Sequence, residues 1–288
     1  MAGKWSRAQL ALIVLLLLCQ FYLRVRNPLS SERAYLRQSL LPSLLSTTQA
    51  NLRFTERVCI FEIGSIYLPI EHEVLPKEPR RLAVVMTGPR EERSWLKGQD
   101  RTVHGFYDVK GVVEALLREL RLQGEFVAGD YPALHPGRCA QIIIDGETVG
   151  FLGELHPSVC EAFDLPSQPV LAMEVDLDVL LEKWGAPHST VPISVHPPVY
   201  EDLAIVVDAD TPAATVQRLI IETGGPLARS AILFDVYRGE QLGAGKKSLA
   251  YSLTFQAPDK TLDSAHIAKL RERIVQRLAQ EHGAALRS

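Results

Sequence analysis

The sequence is poor in cysteine, in aromatic residues and in excess positive charge, and each shortage excludes a class of protein. Its four cysteines, Cys19, Cys59, Cys139 and Cys160, are irregularly spaced, which excludes a disulfide scaffold and a Cys-x-x-Cys metal or redox site. Aromatic residues make up 7% of the chain and the formal net charge is −3. Because nucleic-acid-binding proteins usually carry a basic excess, any such contact must come from local patches. The sparse thiols favour a reducing compartment, and we expect a cytoplasmic protein.

The length of 288 residues, 47% of them apolar, is enough for two ordinary globular domains. Residues 1–26 carry four basic and no acidic groups, residues 27–191 carry 16 basic and 23 acidic groups, and residues 192–288 carry 11 of each. Prolines at positions 192, 197 and 198 indicate a stiff linker. We therefore predict a hydrophobic N-terminal segment over 1–26, one domain over 27–190 and a second over 194–288.

The N-terminal segment contains an uncharged run from Ala8 to Leu23, flanked by basic residues on both sides. As a helix this run would be about 24 Å long, shorter than the ~30 Å hydrocarbon core of a bilayer. No Ala-x-Ala-like cleavage site follows it. Two interpretations stay open: a short membrane anchor, or the remnant of a truncation or fusion. We favour the remnant, because the rest of the sequence is typical of a cytosolic protein.

Two His-x3-Cys spacings raise the question of a zinc site. His135 with Cys139 and His156 with Cys160 would together supply four ligands that zinc accepts. The residues after His135 are Pro136 and Gly137, however, which predict a turn entering a strand, so the first pair would not share a helical face. We expect no metal site.

Residues 27–185 alternate between helical and strand patterns, which predicts an α+β domain. The Asp145-Gly146 pair is a strong hairpin signal between two of the strands, and Asp108 is predicted as a helix N-cap. The predicted elements are a helix opening at Asn27–Glu32 and carrying Leu36, Leu40, Leu41, Leu44 and Leu45, a strand over Val58–Ile63, a buried strand over Leu82–Thr87, a helix after Phe106 with Val109, Val112, Val113, Leu116, Leu117 and Leu120 on one stripe, and strands over Ala140–Ile144 and Thr148–Gly153.

The last region has the strand and helix order βαββαβ of a ferredoxin-like fold. The predicted elements are a strand over Leu203–Val207, a helix over Pro212–Glu222 capped by Thr211 and ended by Gly224 and Gly225, strands over Ser230–Tyr237 and Ser248–Phe255, a helix over Ser264–Gln280 opened by Asp263, and a final strand near Ala284–Arg287. Period-two alternation predicts that Ile232, Phe234 and Val236 share one strand face, and that Leu249, Tyr251, Leu253 and Phe255 share another. We expect Phe234 and Phe255 in the core.

Both regions resemble one known family. The segment LFDVYRGEQLGAGKKSLAYSLTFQAPDKTL, residues 233–262, resembles the ferredoxin-like anticodon-binding domain that ends the β subunit of bacterial phenylalanyl-tRNA synthetases. Five further segments resemble, in the right order, the catalytic-like domain of the same subunit: LRQSLLPSLL (36–45), FEIGSIY (61–67), FYDVKGVVEALL (106–117), HPGRCA (135–140) and GFLGELHP (150–157). The resemblance runs from about residue 27 to the end of the sequence.

The resemblance implies a degenerate class II aminoacyl-tRNA synthetase core followed by the ferredoxin-like domain. A working class II site needs an arginine on its motif 2 strand to clamp the α-phosphate of ATP. The corresponding segment, Ile66–Pro69, has no arginine, and no glycine-rich strand-to-helix segment ending in arginine supplies a second clamp. We therefore predict no catalytic residues on this chain, and interpret Glu62, Asp108 and Lys110 as capping or surface groups.

The loop from Gly243 to Ser248 superficially resembles a phosphate-binding loop. It lacks a glycine at position 240, and Lys247 stands where a Ser or Thr would bind magnesium. Nucleotide hydrolysis is therefore not indicated.

By resemblance, the chain is a non-catalytic β-subunit portion of phenylalanine-tRNA ligase that pairs with a catalytic α subunit in a hetero-oligomer, a heterotetramer in this family. The assembled enzyme would use ATP and Mg²⁺ on the α subunit, and we expect neither to be bound by this chain alone. The family's editing domains precede the matched region, so editing is not assigned here. The resemblance also implies that the last domain grips the anticodon of tRNA(Phe), with cations for phosphates and Tyr237 for stacking. The predicted tRNA-binding residues are Arg229, Tyr237, Arg238, Lys246, Lys247 and Lys260.

Two other interpretations stay open. One is a stand-alone or membrane-tethered RNA-binding pseudoenzyme that uses residues 1–26 as its anchor, although membrane contact is not favoured. The other is a small-molecule-sensing regulatory module built on the ferredoxin-like domain.

Overall fold

The computed structural model describes residues 22–30, 34–92, 94, 95, 102–185 and 194–287. The chain divides into two compact units, one ending at residue 187 and the other beginning at residue 188. Most of the uncharged run at the N-terminus and the proposed linker residues 186–193 lie outside the described residues. Within the described part of the chain, no helix is both long and apolar enough to cross a membrane.

Over its described residues, the first unit mixes four helices with six strands. The elements are α1 (Leu41–Asn51), β1 (Val58–Ser65), β2 (Arg80–Thr87), α2 (Phe106–Leu120), β3 (Gly124–Ala128), β4 (Leu134–Ile144), β5 (Glu147–Leu155), α3 (Pro157–Ala162), β6 (Val170–Asp176) and α4 (Leu177–Glu182). The six strands form one sheet in the order β1-β2-β6-β5-β4-β3, and every neighbouring pair is antiparallel. The mixed α+β fold with an antiparallel sheet is confirmed.

The sheet of the first unit has an apolar core on each face. Leucines of α1 and the residue before it pack on one face against Ala83 and Val85 of β2. On the other face, α2 packs its buried residues Val109, Val113 and Leu117. This spacing of three to four residues is the stripe that the sequence predicts for a core-facing helix.

The first helix begins later than the sequence predicts. Its pattern predicts an opening at Asn27–Glu32, but the helix starts at Leu41, with Pro42 in its first turn. The backbone N–H of Leu40 and the hydroxyl of Ser39 both donate to the buried carboxylate of Glu174, at 2.9 and 2.7 Å. This tertiary contact fixes residues 39 and 40 outside the helix, which local sequence pattern does not reveal.

Asp108 has a different capping role from the predicted one. Gly105 is the N-cap of α2, and Asp108 is the third helical residue. Its carboxylate accepts from the Gly105 N–H at 2.7 Å, which is the acidic half of a capping box. Burial acts to raise the pKa of Asp108, but the Gly105 N–H and the Arg90 guanidinium outweigh it, so the pKa lies below its usual value.

The Asp145-Gly146 hairpin between β4 and β5 is present as predicted. Both residues have positive φ, 52° and 79°, as a two-residue type I′ turn requires. The sequence pattern does not indicate the short strand β3, the central strand β6 or the two six-residue helices α3 and α4. Strand β6 is buried along nearly its whole length, so it lacks the alternation that marks a half-buried strand.

The second unit has the predicted ferredoxin-like order. Its elements are β7 (Val199–Asp208), α5 (Ala213–Gly224), β8 (Ala228–Tyr237), β9 (Lys246–Phe255), α6 (Ser264–His282) and β10 (Ala285–Leu286). The strands are antiparallel and lie in the order β10-β7-β9-β8. Pro212 itself is the N-cap of α5, one residue later than predicted, whereas Asp263 caps α6 by accepting from the His266 N–H at 2.6 Å.

The predicted faces are correct for β9 and wrong for β8. Leu249, Tyr251, Leu253 and Phe255 are at most 1% exposed and form the core with the two helices. In β8, however, Ile232 pairs with Ser252, on the open face of the sheet, whereas Val236 pairs with Leu249, on the core face. Ile232 and Val236 therefore do not share a face, because a bulge between Leu233 and Asp235 reverses the alternation of side chains. Phe234 lies in this bulge and is 58% exposed, so the expectation that it is a core residue is wrong.

Candidate nucleic-acid interface

Tyr237 and Arg287 form an aromatic and cationic pair on the open face of the second unit's sheet. Tyr237 ends β8 opposite Ser248 of β9. The guanidinium of Arg287 lies over the Tyr237 ring, 4.8 Å from its centroid, and its Nη1 donates to the Ser248 Oγ at 3.5 Å. A cation this close to a tyrosine ring stabilises it by electrostatic attraction. The pair joins residues from opposite edges of the sheet.

Arg287 was not among the residues predicted from the sequence. It follows the two-residue strand β10, and its backbone N–H donates to the carbonyl of Ala204 on β7 at 3.0 Å. It thus extends the pairing of β10 by one residue, which directs its side chain toward Tyr237, 50 positions away in sequence. The predicted strand near Ala284–Arg287 was the only signal that placed Arg287 in the sheet.

Arg238 and Lys246 lie at the same hairpin end as Tyr237. Arg238 is exposed, and the ammonium of Lys246 pairs with the carboxylate of Asp208 at 2.6 Å. Gly239 packs closely against the hydroxyl end of Tyr237, so that a Cβ at position 239 would overlap it. This end therefore presents a positioned aromatic ring with cationic groups beside it.

Lys247 is buried, unlike the neighbouring Lys246. The residue is 7% exposed, and its ammonium donates to the carbonyl of Ala209 at 2.9 Å. Burial lowers the pKa of Lys247, the charge of Arg238 lowers it further, and Asp210 opposes the shift. The Lys247 side chain thus stabilises the turn after β7.

Arg229 and Lys260 lie at the other end of the sheet. Arg229 is the second residue of β8, and Lys260 is exposed in the loop that follows β9. The two are at the same end of the sheet, because the first residue of β8, Ala228, pairs with the last residue of β9, Phe255. Arg229 and Tyr237 are eight positions apart on β8, which corresponds to roughly 25 Å at about 3.3 Å per residue. The structure therefore divides the six predicted residues into two groups instead of gathering them in one cluster.

In the first unit, one polar row crosses the sheet. The register aligns Glu62, Ala83, Glu174 and Phe151 across β1, β2, β6 and β5. The Glu174 carboxylate is engaged by Ser39 and Leu40, and the Phe151 ring stacks on Tyr131 at 3.6 Å between centroids.

The arginines beside this row are already paired. Arg37 bonds Glu62 at 2.5 Å and the Ser65 carbonyl at 2.9 Å, and Arg81 bonds Asp176 at 3.0 Å. A nucleotide triphosphate needs several cations to balance the charge of its phosphates. The row itself carries the carboxylates of Glu62 and Glu174 and no cation, so it does not fit ATP.

Lys110 and the two His-x3-Cys pairs of the first unit lie within its helices and strands or directly beside them. Lys110 pairs with Glu114 and lies over the Phe126 ring at 4.4 Å. His135 and Cys139 lie on β4, and His156 is the N-cap of α3, which contains Cys160. Over the described residues, no group of three or more His, Cys, Asp or Glu side chains is arranged to hold a metal ion.

Comparison with known families matches both units. Residues 20–177 match the family described as phenylalanyl tRNA synthetase beta chain CLM domain. The chain belongs to this family. Residues 194–287 match the ferredoxin-fold anticodon binding domain, which confirms the ferredoxin-like prediction and the resemblance on which it was based.

Curated relatives carry the same name. The chain is similar to phenylalanine-tRNA ligase beta subunits of Oceanobacillus iheyensis (38% identity over 91% of this chain and 32% of that protein), Bacillus subtilis (37%, 90% and 32%) and Geobacillus kaustophilus (39%, 92% and 33%). The chain therefore spans about a third of the length of the curated relatives it matches. Among solved structures, pyrrolysyl-tRNA synthetase from Desulfitobacterium hafniense overlaps at a TM-score of 0.43 and 17% identity, over 57% of this chain and 53% of that one, a level too low to inform function.

Proposed function

We propose that this chain is a non-catalytic β-subunit portion of phenylalanine-tRNA ligase whose second unit holds the anticodon of tRNA(Phe). The observation that supports this most is the Tyr237 ring fixed on an open sheet face by Arg287, in a unit that matches an anticodon-binding family. Unpaired RNA bases stack on aromatic rings, and nearby cations bind the phosphates. Arg238 and Lys246 supply that charge at the same hairpin end.

The role of Arg287 in this proposal is to position the ring. A tyrosine at a strand end has rotamer freedom, and ordering it on binding costs free energy. The cation over one ring face holds Tyr237 in place before RNA arrives, so that less ordering is needed when a base stacks on the ring. In this proposal, Arg229 and Lys260 contact more distant phosphates of the RNA. Lys247 contributes indirectly, by stabilising the turn after β7.

The direct test is the affinity of the full chain for tRNA(Phe) with single substitutions in this cluster. Loss of one stacked base costs about 1–3 kcal/mol, so Tyr237→Ala should raise Kd roughly 5- to 150-fold. Arg238→Gln should weaken binding and reduce the slope of log Kd against log salt by about 0.7, as expected for one phosphate contact on a single strand. Fluorescence anisotropy over a salt series measures both effects.

Arg53→Gln is the matched control, because Arg53 is an exposed arginine of the first unit. It should leave both the affinity and the salt slope unchanged. If Tyr237→Ala and Arg238→Gln bind tRNA(Phe) as tightly as the wild-type chain does, the anticodon-binding proposal is wrong.

The chemistry of aminoacylation belongs, in this proposal, to a catalytic α subunit. This chain's polar row does not fit ATP, so ATP and Mg²⁺ would be bound by the partner in a cytoplasmic hetero-oligomer. Co-expression with a tagged α subunit tests the assembly: the proposal predicts that the two chains elute together in size-exclusion chromatography and that the α subunit alone charges tRNA(Phe) poorly. Separate elution at micromolar concentration would contradict it.

A further inference from the structure

Strand β8 joins the two separated groups of basic residues. It is an edge strand of the four-stranded sheet, with Arg229 near its start and the Tyr237-Arg238 pair at its end. Between them, Ile232 and Phe234 are exposed apolar residues, 61% and 58% accessible. Exposed apolar side chains in a row on an edge strand are a liability for aggregation unless something covers them.

The bulge is what exposes Phe234. Regular alternation would place every second side chain of β8 against the helices, but the register shift between Leu233 and Asp235 leaves Phe234 as the extra residue. The neighbouring open-face positions of β9 are small residues, Ser248, Ala250 and Ser252. Ser248 and Ala250 are themselves covered, at 1% and 9% exposed, so the accessible surface of this row is that of the Ile232 and Phe234 side chains.

The charges of β8 indicate what would cover this row. Asp235 is the single acidic residue of the strand, and it would repel a phosphate placed over it. Apolar contact with planar groups, rather than charge, must therefore hold a ligand in the middle of the strand, with cations only at its two ends. Unpaired RNA has this combination, since its bases stack while its phosphates need positive charge.

We infer that β8 is a track for unpaired bases of the bound tRNA, with Phe234 as a second stacking platform between Arg229 and Tyr237. This inference rests on the proposed function and extends it along the strand. The roughly 25 Å between Arg229 and Tyr237 is long enough for several nucleotides rather than for one. It also explains why the predicted basic residues lie in two groups.

The test measures tRNA(Phe) binding by full-length chains carrying Phe234→Ala, Phe234→Leu or Phe234→Trp. Phe234→Ala and Phe234→Leu should raise Kd roughly 5-fold or more, since neither residue offers a ring. Phe234→Trp should restore binding, and none of the three should change the salt slope. Urea unfolding should show little change in stability, because Phe234 is largely exposed.

Phe54→Ala is the matched control, because Phe54 is an exposed phenylalanine of the first unit and should leave Kd unchanged. If Phe234→Ala and Phe234→Leu bind normally while Tyr237→Ala does not, the track is wrong and the anticodon proposal stands. If Tyr237→Ala also binds normally, both are wrong. If Phe234→Ala weakens co-elution with the α subunit but not tRNA binding, the row is a protein contact and the inference is overturned.

Discussion

Two adjacent lysines show how the position of a residue in the sheet decides its role. Lys246 pairs across the sheet with Asp208 and Lys247 pairs with Val207, so strand alternation sends their side chains to opposite faces. Lys246 keeps an ammonium at the surface beside Asp208, whereas Lys247 buries its ammonium against the Ala209 carbonyl. Sequence alone treats the two as equivalent basic residues of one loop.

The pair provides a test with a built-in control. Lys246→Met should reduce the salt slope of tRNA(Phe) binding by about 0.7, whereas Lys247→Met should leave the slope unchanged. A salt series with both variants in fluorescence anisotropy measures this difference. The same loss of slope in Lys247→Met would show that the buried ammonium reaches the RNA, contrary to its place in the fold.

His104 is a second residue whose surroundings set its chemistry. Its Nε2 lies 3.5 Å from the Cys59 thiol, and burial lowers its pKa, with Asp108 opposing the shift and Arg57 and Arg90 adding to it. The unfolded chain takes up a proton near pH 6.5, but the folded chain does so only at lower pH. Between these values the unfolded state binds more protons, so the free energy of unfolding falls as the pH is lowered below about 6.5.

Urea unfolding at pH 7.5 and 5.5 checks this sign. The wild-type chain should lose more stability on acidification than His104→Gln, which has no imidazole to protonate. His72→Gln, at an exposed histidine, should behave like the wild-type chain. An equal loss in the wild-type chain and in His104→Gln would rule out His104 as the source of the pH dependence.

At the scale of elements, local signals define the hairpins and helices of both units. Asp145-Gly146, Gly225 and Asp263 each act at the turn or helix end where their chemistry predicts, because the φ angle and the capping bond are decided within a few residues. The sequence pattern predicts neither the start of α1 nor the bulge in β8. Both depend on distant partners, Glu174 in the first case and the pairing with β9 in the second.

The Asp145-Gly146 turn gives a quantitative prediction at this scale. Gly146 has a φ of 79°, and a Cβ added there would meet no other atom within 4 Å, so Gly146→Ala introduces backbone strain without a clash. It should lower the free energy of unfolding by about 1–2 kcal/mol. Gly111→Ala, at an exposed position inside α2, should raise it by roughly 0.5–1 kcal/mol. Urea denaturation compares the two, and a loss of stability in both would contradict the assignment of the effect to φ.

At the scale of the whole molecule, the candidate site was only partly predictable. The ferredoxin-like order and the hairpin carrying Tyr237 follow from alternation and turn chemistry, and Tyr237 with Arg238 was expected from their place at the strand end. Arg287 was missed because β10 comes last in the chain yet pairs with β7, so only the assembled sheet brings it to Tyr237. The separation of Arg229 and Lys260 from the hairpin end likewise requires the strand register.

The central claim is that the second unit holds the anticodon, and it concerns the RNA as much as the protein. A cluster that stacks anticodon bases should distinguish tRNA(Phe) from the same tRNA with its three anticodon nucleotides made abasic, whereas general attraction to phosphates should not. The full chain provides the comparison, with Tyr237→Ala measured in parallel.

The decisive measurement is the ratio of the two Kd values, for abasic-anticodon and native tRNA(Phe), at one fixed salt concentration. We predict a ratio of at least about 5 for the wild-type chain, since the loss of one stacked base costs about 1–3 kcal/mol, and a ratio much closer to 1 for Tyr237→Ala. A ratio of 1 for the wild-type chain would contradict the account.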